Sequence, residues 1–271
     1  MMHAIAALLL VSGASALSLV PRLAPPAAPV RRAGKICLGW GPEPIWTTLP
    51  ISSISEAADG LKAITLEPPE ETFSGFTIPG QYVQMREIGA EKASFFALAS
   101  PPGATPFELL IKEQPPSDWS PGTGWLTSAS AGLEVEMSQV MGTGFKSVGD
   151  SPSVLLFAAG SGISPIRSVI ESGVLKGKDV MLFYGAQTPA QMAYMDKFGE
   201  WEALGVECVP VISKPGPDWD GAIGYVQDVA RERGVPADCA MLICGMKGMA
   251  EGVKALAADF GVPDDKVIAN F

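Results

Sequence analysis

The spacing of the apolar residues changes partway along the chain, and the change divides it in two. Residues 154–158 form an unbroken apolar run, the pattern of a strand buried on both faces of a parallel sheet. The run breaks at Ala159-Gly160-Ser161-Gly162, and then Ile163, Ile166, Val169 and Ile170 recur at helical spacing. Further strands are predicted over 179–184, 206–212, 240–244 and 266–269. Helical patterns lie between them over 189–204, 225–233 and 246–260. In the first of these helices Met192, Tyr194, Met195, Phe198 and Trp201 form the inner stripe. Alternation of this kind predicts a doubly wound parallel sheet, whose ligands sit at the carboxyl ends of the strands near the switch point. Gly160 to Gly162, Ser213-Lys214 and Cys244-Gly245 all fall at such ends.

Before residue 150 the period is shorter. Alternating runs separated by Pro and Gly clusters predict small antiparallel strands over 51–55, 61–66, 80–86, 94–100, 107–112 and 133–137. Between them, Gly122 and Thr123 mark a turn before a short helix, and Gly142 to Phe145 close the half. In the strand around Tyr82, the side chains of Tyr82, Gln84 and Arg86 share one face, while Val83 and Met85 share the other. One face suits a barrel interior; the other meets a ligand or water.

The glycine turn at 160–162 has a chemical meaning of its own. Such a turn brings backbone N–H groups up to a phosphate, and the helix that follows adds about half a positive charge. The spacing departs from the dinucleotide GxGxxG, since a third glycine would fall at Pro165.

A length of 271 residues fits two domains, placed at 44–149 and 150–271. Residues 1–34 differ from both. They hold a short apolar core, a small-residue Ala14-Ser15-Ala16 cleavage pattern and an arginine- and proline-containing stretch without acids. This is the expectation for a two-part presequence leading to a plastid, with secretion as the alternative. No acid precedes Glu43, so the 29 acidic residues weigh entirely on the body, against 19 basic ones in the whole chain. Nucleic acid and anionic membranes are therefore poor partners. The one histidine, His3, lies in the presequence, which leaves the body without a histidine base or metal ligand. The cysteines Cys37, Cys208, Cys239 and Cys244 contain no C-x-x-C pair, so neither zinc nor an iron–sulfur cluster is indicated. Chemistry in such a body falls to a bound redox cofactor.

The wording of the motifs is more specific than their shape. Gly160-Ser161-Gly162-Ile163-Ser164-Pro165-Ile166-Arg167-Ser168 resembles the G-T/S-G-I-A/S-P-x-R-S signature of the ferredoxin–NADP reductase superfamily. The resemblance implies that Gly160, Ser161, Gly162, Ile163 and Pro165 hold the pyrophosphate of NAD(P)H. It extends to the first half: Pro79 to Arg86, Leu98-Ala99-Ser100-Pro101-Pro102, Gly122-Thr123 and Met141 to Phe145 are similar to the flavin-binding barrel of the same superfamily. Tyr82, Gln84, Arg86, Phe96, Ala97, Leu98, Ala99, Ser100, Gly122 and Thr123 are then the expected flavin contacts.

The chain departs from the family at R-x-Y-S/T, whose arginine, ring-stacking tyrosine and hydroxyl fall on Ser94, Phe96 and Ala97. Phe96 is expected to keep the stacking, and Arg86 to replace the lost phosphate contact, worth roughly 1.5–3 kcal/mol. Met241 to Met249 resembles the Y-M-C-G-L-K-G-M segment of plant ferredoxin–NADP reductases. That likeness places Cys244 against the nicotinamide, flanked by Gly245 and Met246, and makes Phe271 the aromatic that covers the flavin. Ser213, Lys214 and Tyr225 match the adenosine end of the nucleotide site and favour NADPH, with NADH possible. FAD over FMN follows from the resemblance alone. Ala97 and Ala269 replace both members of a polar pair that the plant enzymes keep. With an acidic body, they turn the expected acceptor away from ferredoxin toward a quinone, a haem protein or a small carrier. A flavin-free NADP(H) sensor or interaction module, and a true ferredoxin–NADP reductase, are the competing readings.

Overall fold

The computed structural model describes residues 42–117, 121–146, 148 and 151–270. Residues 1–34, where a presequence is expected, lie outside the described residues, as do His3, Cys37 and Phe271. The described residues form two six-stranded sheets, one antiparallel and one parallel.

The antiparallel sheet is built from β1 (Trp46–Ala58), β2 (Leu61–Leu66), β3 (Tyr82–Arg86), β4 (Ser94–Ala97), β5 (Phe107–Lys112) and β6 (Glu134–Ser138), in the order β4-β3-β6-β1-β2-β5. It closes on itself where Leu98 bridges Leu109 and the Ala99 N–H donates to the Glu108 carbonyl at 2.8 Å. Closure leaves no free edge between β4 and β5, and the barrel interior is filled by Ile51, Ile64, Val83, Met85, Phe96, Leu98, Phe107 and Leu109 among others. Two short helices, α1 (Glu70–Ser74) and α2 (Gly124–Thr127), sit in the connections. The alternation read in β3 holds: Val83 and Met85 are inside, Tyr82, Gln84 and Arg86 outside.

The parallel sheet comprises β7 (Ser153–Ala159), β8 (Asp179–Ala186), β9 (Val206–Ile212), β10 (Ala222–Ile223), β11 (Ala240–Cys244) and β12 (Val267–Ala269), in the order β10-β9-β8-β7-β11-β12. The order reverses between β7 and β11, which makes that gap the switch point. Helix α3 (Ile163–Glu171) and the short α4 (Phe198–Ala203) cover one face of the sheet, where the core continues into Leu61, Leu110 and Phe145. Helices α5 (Val226–Arg233) and α6 (Lys247–Asp259) cover the other.

The helix expected over 189–204 is corrected to two single 3₁₀ turns and the six residues of α4. Tyr194 takes a left-handed conformation, φ 63°, which ends any continuous helix there. The inner stripe itself persists, since Met192, Tyr194 and Trp201 are buried, whereas Met195 is exposed. Helix α1 and strand β10 have no counterpart in the sequence reading, being too short to impose a period.

At the switch point the two carboxyl ends touch. A Cβ added to Gly162 would stand 2.2 Å from the Cys244 carbonyl oxygen, closer than any real contact. Gly160 differs: its φ is +55°, and an added Cβ would meet nothing within 4 Å. Gly162→Ala is therefore expected to lower stability by about 2–3 kcal/mol through overpacking, and Gly160→Ala by about 1 kcal/mol through backbone strain alone. Chemical denaturation of the two variants checks the ranking; a smaller loss at Gly162 contradicts the close approach.

Candidate functional site

On the nucleotide side the candidate site lies at the ends of β7, β9 and β11. Residues 160–162 form a 3₁₀ turn that runs straight into α3. The buried Tyr184 hydroxyl donates to the Gly160 carbonyl at 3.3 Å and accepts the Ala193 N–H at 3.2 Å, which fixes the turn from below. Gly160 and Ser161 face partly open space. Ile163 and Pro165 do not: both are buried, and the Ile163 N–H is spent on the carbonyls of Gly160 and Ser161. The helix turns these two side chains into the core, so any contact with a pyrophosphate falls to the Gly160-Ser161 backbone beside them.

Cys244 ends β11 beside Ala158 of β7, partly exposed. Burial pushes its thiol up to about 12, so it stays neutral and is a poor nucleophile. Gly245 packs under Ala159 and Met249, where a Cβ would stand 2.7 Å from Met249 Cε, while Met246 projects outward with 70% of its surface exposed. Ser213 follows β9 and donates its N–H to the Ala186 carbonyl at 3.1 Å. Lys214 is exposed, and its Nζ donates to the neutral Gln187 Oε1 at 3.2 Å. Tyr225, at the start of α5, is 62% exposed and available to pack on a planar group.

On the barrel side, strand pairing corrects the stacking residue. Tyr82 is paired with Ala97, Val83 with Phe96 and Gln84 with Phe95. Phe96 therefore points inward with Val83 and belongs to the barrel core, 8% exposed. Phe95 points outward, 56% exposed, and meets the Tyr82 ring edge-on at 5.5 Å between centroids. The outward aromatic surface is the edge-to-face pair Tyr82 and Phe95, which the motif alignment missed. Ser94 is turned inward as well, and its hydroxyl donates to the Gly122 carbonyl at 3.2 Å.

Arg86 has partners of its own. Its Nε donates to Glu136 Oε2 at 2.7 Å and its guanidinium lies 4.0 Å from the centre of the Trp46 ring. That hydrogen bond holds the Glu136 carboxyl below its usual range. The guanidinium is thus held against Glu136 and Trp46 through Nε and one ring face. Gln84 remains on the outward face, with its amide 3.4 Å from the Met141 sulfur. Leu98, Ala99 and Ser100 are buried at the barrel closure. The Ser100 hydroxyl accepts the Glu108 N–H at 3.1 Å, so these three form the seam rather than a ligand surface. The Thr123 hydroxyl accepts the Gln114 N–H at 3.0 Å and donates to the Lys112 carbonyl; Gly122, at φ +80°, lies against Pro116 and Gln114. Both are committed to shaping their turn.

The two sides meet through α3 and β12. Ser164 Oγ donates to the Ala97 carbonyl and Ser168 Oγ to the Ser100 carbonyl, each at 2.9 Å. Asn270 donates its N–H to the Ile243 carbonyl at 2.9 Å and its side-chain amide to the Gly80 carbonyl at 2.8 Å. The Tyr82–Phe95 pair is therefore joined through Ala97 and Ser164 to the turn that touches Cys244. No group of three or more His, Cys, Asp or Glu able to hold a metal occurs among the described residues.

Residues 156–255 match the family model described as an oxidoreductase NAD-binding domain. The chain is similar to fruit protein pKIWI502 of Actinidia deliciosa, 34% identical over 249 residues, which covers 83% of this chain and 77% of that protein. It is 27% identical to one component of the Na(+)-translocating NADH-quinone reductase of Pasteurella multocida, covering 79% of this chain and 59% of that component. Among solved structures, a ferredoxin NADP+ reductase from Neisseria gonorrhoeae with bound FAD and NADP superposes at a TM-score of 0.70 and 16% identity, covering 80% of this chain and 92% of that one. A closed antiparallel barrel, a parallel sheet with a glycine turn at its switch point, and these likenesses agree: the chain belongs to the ferredoxin–NADP reductase superfamily of FAD- and NAD(P)-binding oxidoreductases.

Proposed function

We propose that the protein takes a hydride from NADPH onto FAD and passes the electrons to a small non-ferredoxin acceptor. The observation that carries this reading is the joint described above, where Ser164, two residues after the Gly162–Cys244 contact, bonds to Ala97, the strand partner of the outward Tyr82. The residues fit both groups in part. Phe95 and Tyr82 offer outward ring faces, set edge to face, for a planar group, and Gly160-Ser161 offers an open backbone cradle for a pyrophosphate. Lys214 and Ser213 would hold a 2′-phosphate. The phosphate end of the flavin lacks its usual arginine, since Ser94 faces the barrel interior and Arg86 belongs to Glu136.

When bound, the flavin supplies the switch between two-electron and one-electron chemistry. The chain supplies position and exclusion of water. Cys244, neutral and small, stands beside the 160–162 turn without competing as a nucleophile. Ala97 presents a methyl where a hydroxyl would otherwise donate. With no histidine after His3, proton traffic at the flavin falls to solvent or the acceptor. An acidic body disfavours an acidic ferredoxin as partner, which leaves a quinone, a haem protein or a small carrier. No helix among the described residues is long and apolar enough to cross a membrane. The presequence pattern of residues 1–34 supports a plastid as the site of action.

The flavin-free sensor is the second reading, favoured by one observation: the outward face of β4 carries no cation. An absorption spectrum of the purified protein separates the two. Bands at about 375 and 450 nm are expected, and a colourless protein that still binds NADPH overturns the enzyme reading. Phe95→Ala is expected to cut flavin occupancy several-fold while Phe96→Ala lowers stability by about 3 kcal/mol, measured by flavin-to-protein ratio and by denaturation. Lys214→Ala is expected to raise KM for NADPH about tenfold and leave KM for NADH unchanged, in keeping with loss of one charge-assisted contact. Alkylation at Cys244, followed by mass spectrometry, should stay slow from about pH 7 to 10. The thiolate appears only as pH approaches about 12 in the folded protein, whereas the unfolded chain reacts from about pH 8.5.

A further inference from the structure

Helix α3 carries the nucleotide turn at its start, and one turn further on it carries a polar cluster that the redox chemistry does not use. Arg167 is 7% exposed. Its NH1 donates to Glu108 Oε1 of β5, and its Nε to Glu171 Oε1 at 2.9 Å. The Tyr194 hydroxyl donates to the same Glu108 oxygen at 2.8 Å, and the guanidinium lies 4.6 Å from the centre of the Tyr194 ring. Trp201 Nε1 closes the cluster on Glu171 at 3.1 Å. Burial alone would lower the Arg167 pKa, but the hydrogen bond and charge of Glu108 more than offset it and hold the guanidinium charged. Burial and the Glu108 charge push the Tyr194 hydroxyl well above its ordinary value.

Every one of these contacts joins the two sheets or braces the residue that does. Glu108 is tied into the barrel seam on both sides of its backbone: its carbonyl accepts the Ala99 N–H and its N–H donates to Ser100 Oγ. Ser164, Arg167 and Ser168 recur at helical spacing on one face of α3, and all three reach the barrel. Tyr194 reaches Glu108 from a left-handed backbone that an L-residue adopts only at a cost.

We propose that Arg167, Glu108 and Tyr194 are positioning residues that set the spacing between Ala97 and the 160–162 turn. The proposal rests on the flavin–nicotinamide reading, because it is the distance between the two rings that the clamp would fix. α3 behaves as a short lever, with its clamp at Arg167 and its working end at Gly162. A displacement of about 1 Å between reacting atoms can slow a reaction by about a hundredfold while leaving binding intact.

The test compares Glu108→Ala, Glu108→Gln and Tyr194→Phe with the parent protein. Glu108→Ala leaves Arg167 paired with Glu171, so the charge is not stranded. Flavin reduction by NADPH is followed by rapid mixing, and the NADPH Kd by titration. Expected for Glu108→Ala is a hydride-transfer rate about 10- to 100-fold slower with Kd within about threefold of the parent value. Glu108→Gln, which keeps an acceptor oxygen in place, is expected to recover most of that rate; Tyr194→Phe should fall between. A lowered melting temperature with an unchanged transfer rate shows mere adhesion and overturns the proposal. If the parent protein is colourless, the flavin reading fails on its own, and hydrogen exchange decides the clamp. The Leu98 and Ala99 amides and those of α3 should exchange about tenfold faster in Glu108→Ala, and unchanged protection overturns it.

Discussion

The structure depends on a helix that is buried on two sides at once. Residues 163–170 of α3 are all buried, yet the helix is not apolar all round. Ile163, Ile166, Val169 and Ile170 pack on the parallel sheet. Ser164, Arg167 and Ser168 face the barrel, where the ends of β4 and β5 offer carbonyl oxygens and a carboxylate. A helix packed against the closing edge of a barrel must supply donors, because buried acceptors left unpaired cost about 1–3 kcal/mol each. The serines and the arginine meet that demand, and in doing so they fix the register of one sheet against the other.

Much of this was legible in advance, and the reasons are physical. The glycine turn, the buried strand before it and the amphipathic helix after it are local patterns, and each leaves a period or a punctuation mark in the sequence. The β3 alternation is of the same kind: Val83 and Met85 could only face inward if Tyr82, Gln84 and Arg86 faced out. The family signature identified the turn but not the second duty of its own residues. Ser164, Arg167 and Ser168 read as part of a phosphate motif, and their contacts with residues 97, 100 and 108 are too distant in sequence to leave a trace.

The displaced stacking residue has a simple cause. Aligning a motif assigns roles by position, whereas a strand assigns faces by pairing. With Phe95 and Phe96 adjacent, a single step in pairing exchanges a core residue for a ligand-facing one, and composition cannot tell them apart. The signal was present in the neighbours, since Phe96 and Leu98 alternate with the outward Phe95 and Ala97 in step with Val83 and Met85. The helix drawn over 189–204 failed for a related reason. Its stripe of large residues is largely buried as expected, but the left-handed Tyr194 that delivers it is a tertiary demand of Glu108, invisible to any local window.

The double use of one carboxylate oxygen has an evolutionary side. Glu108 sits in the barrel and its two donors sit in the other half of the chain, so the boundary between β6 and β7 is not a natural break. A chimera that joined this nucleotide half to a foreign barrel at that linker would separate residues that only make sense together. Homologues that exchange modules freely should either lack this cluster or carry it across as a unit, and covariation among the three positions is where such history would be written.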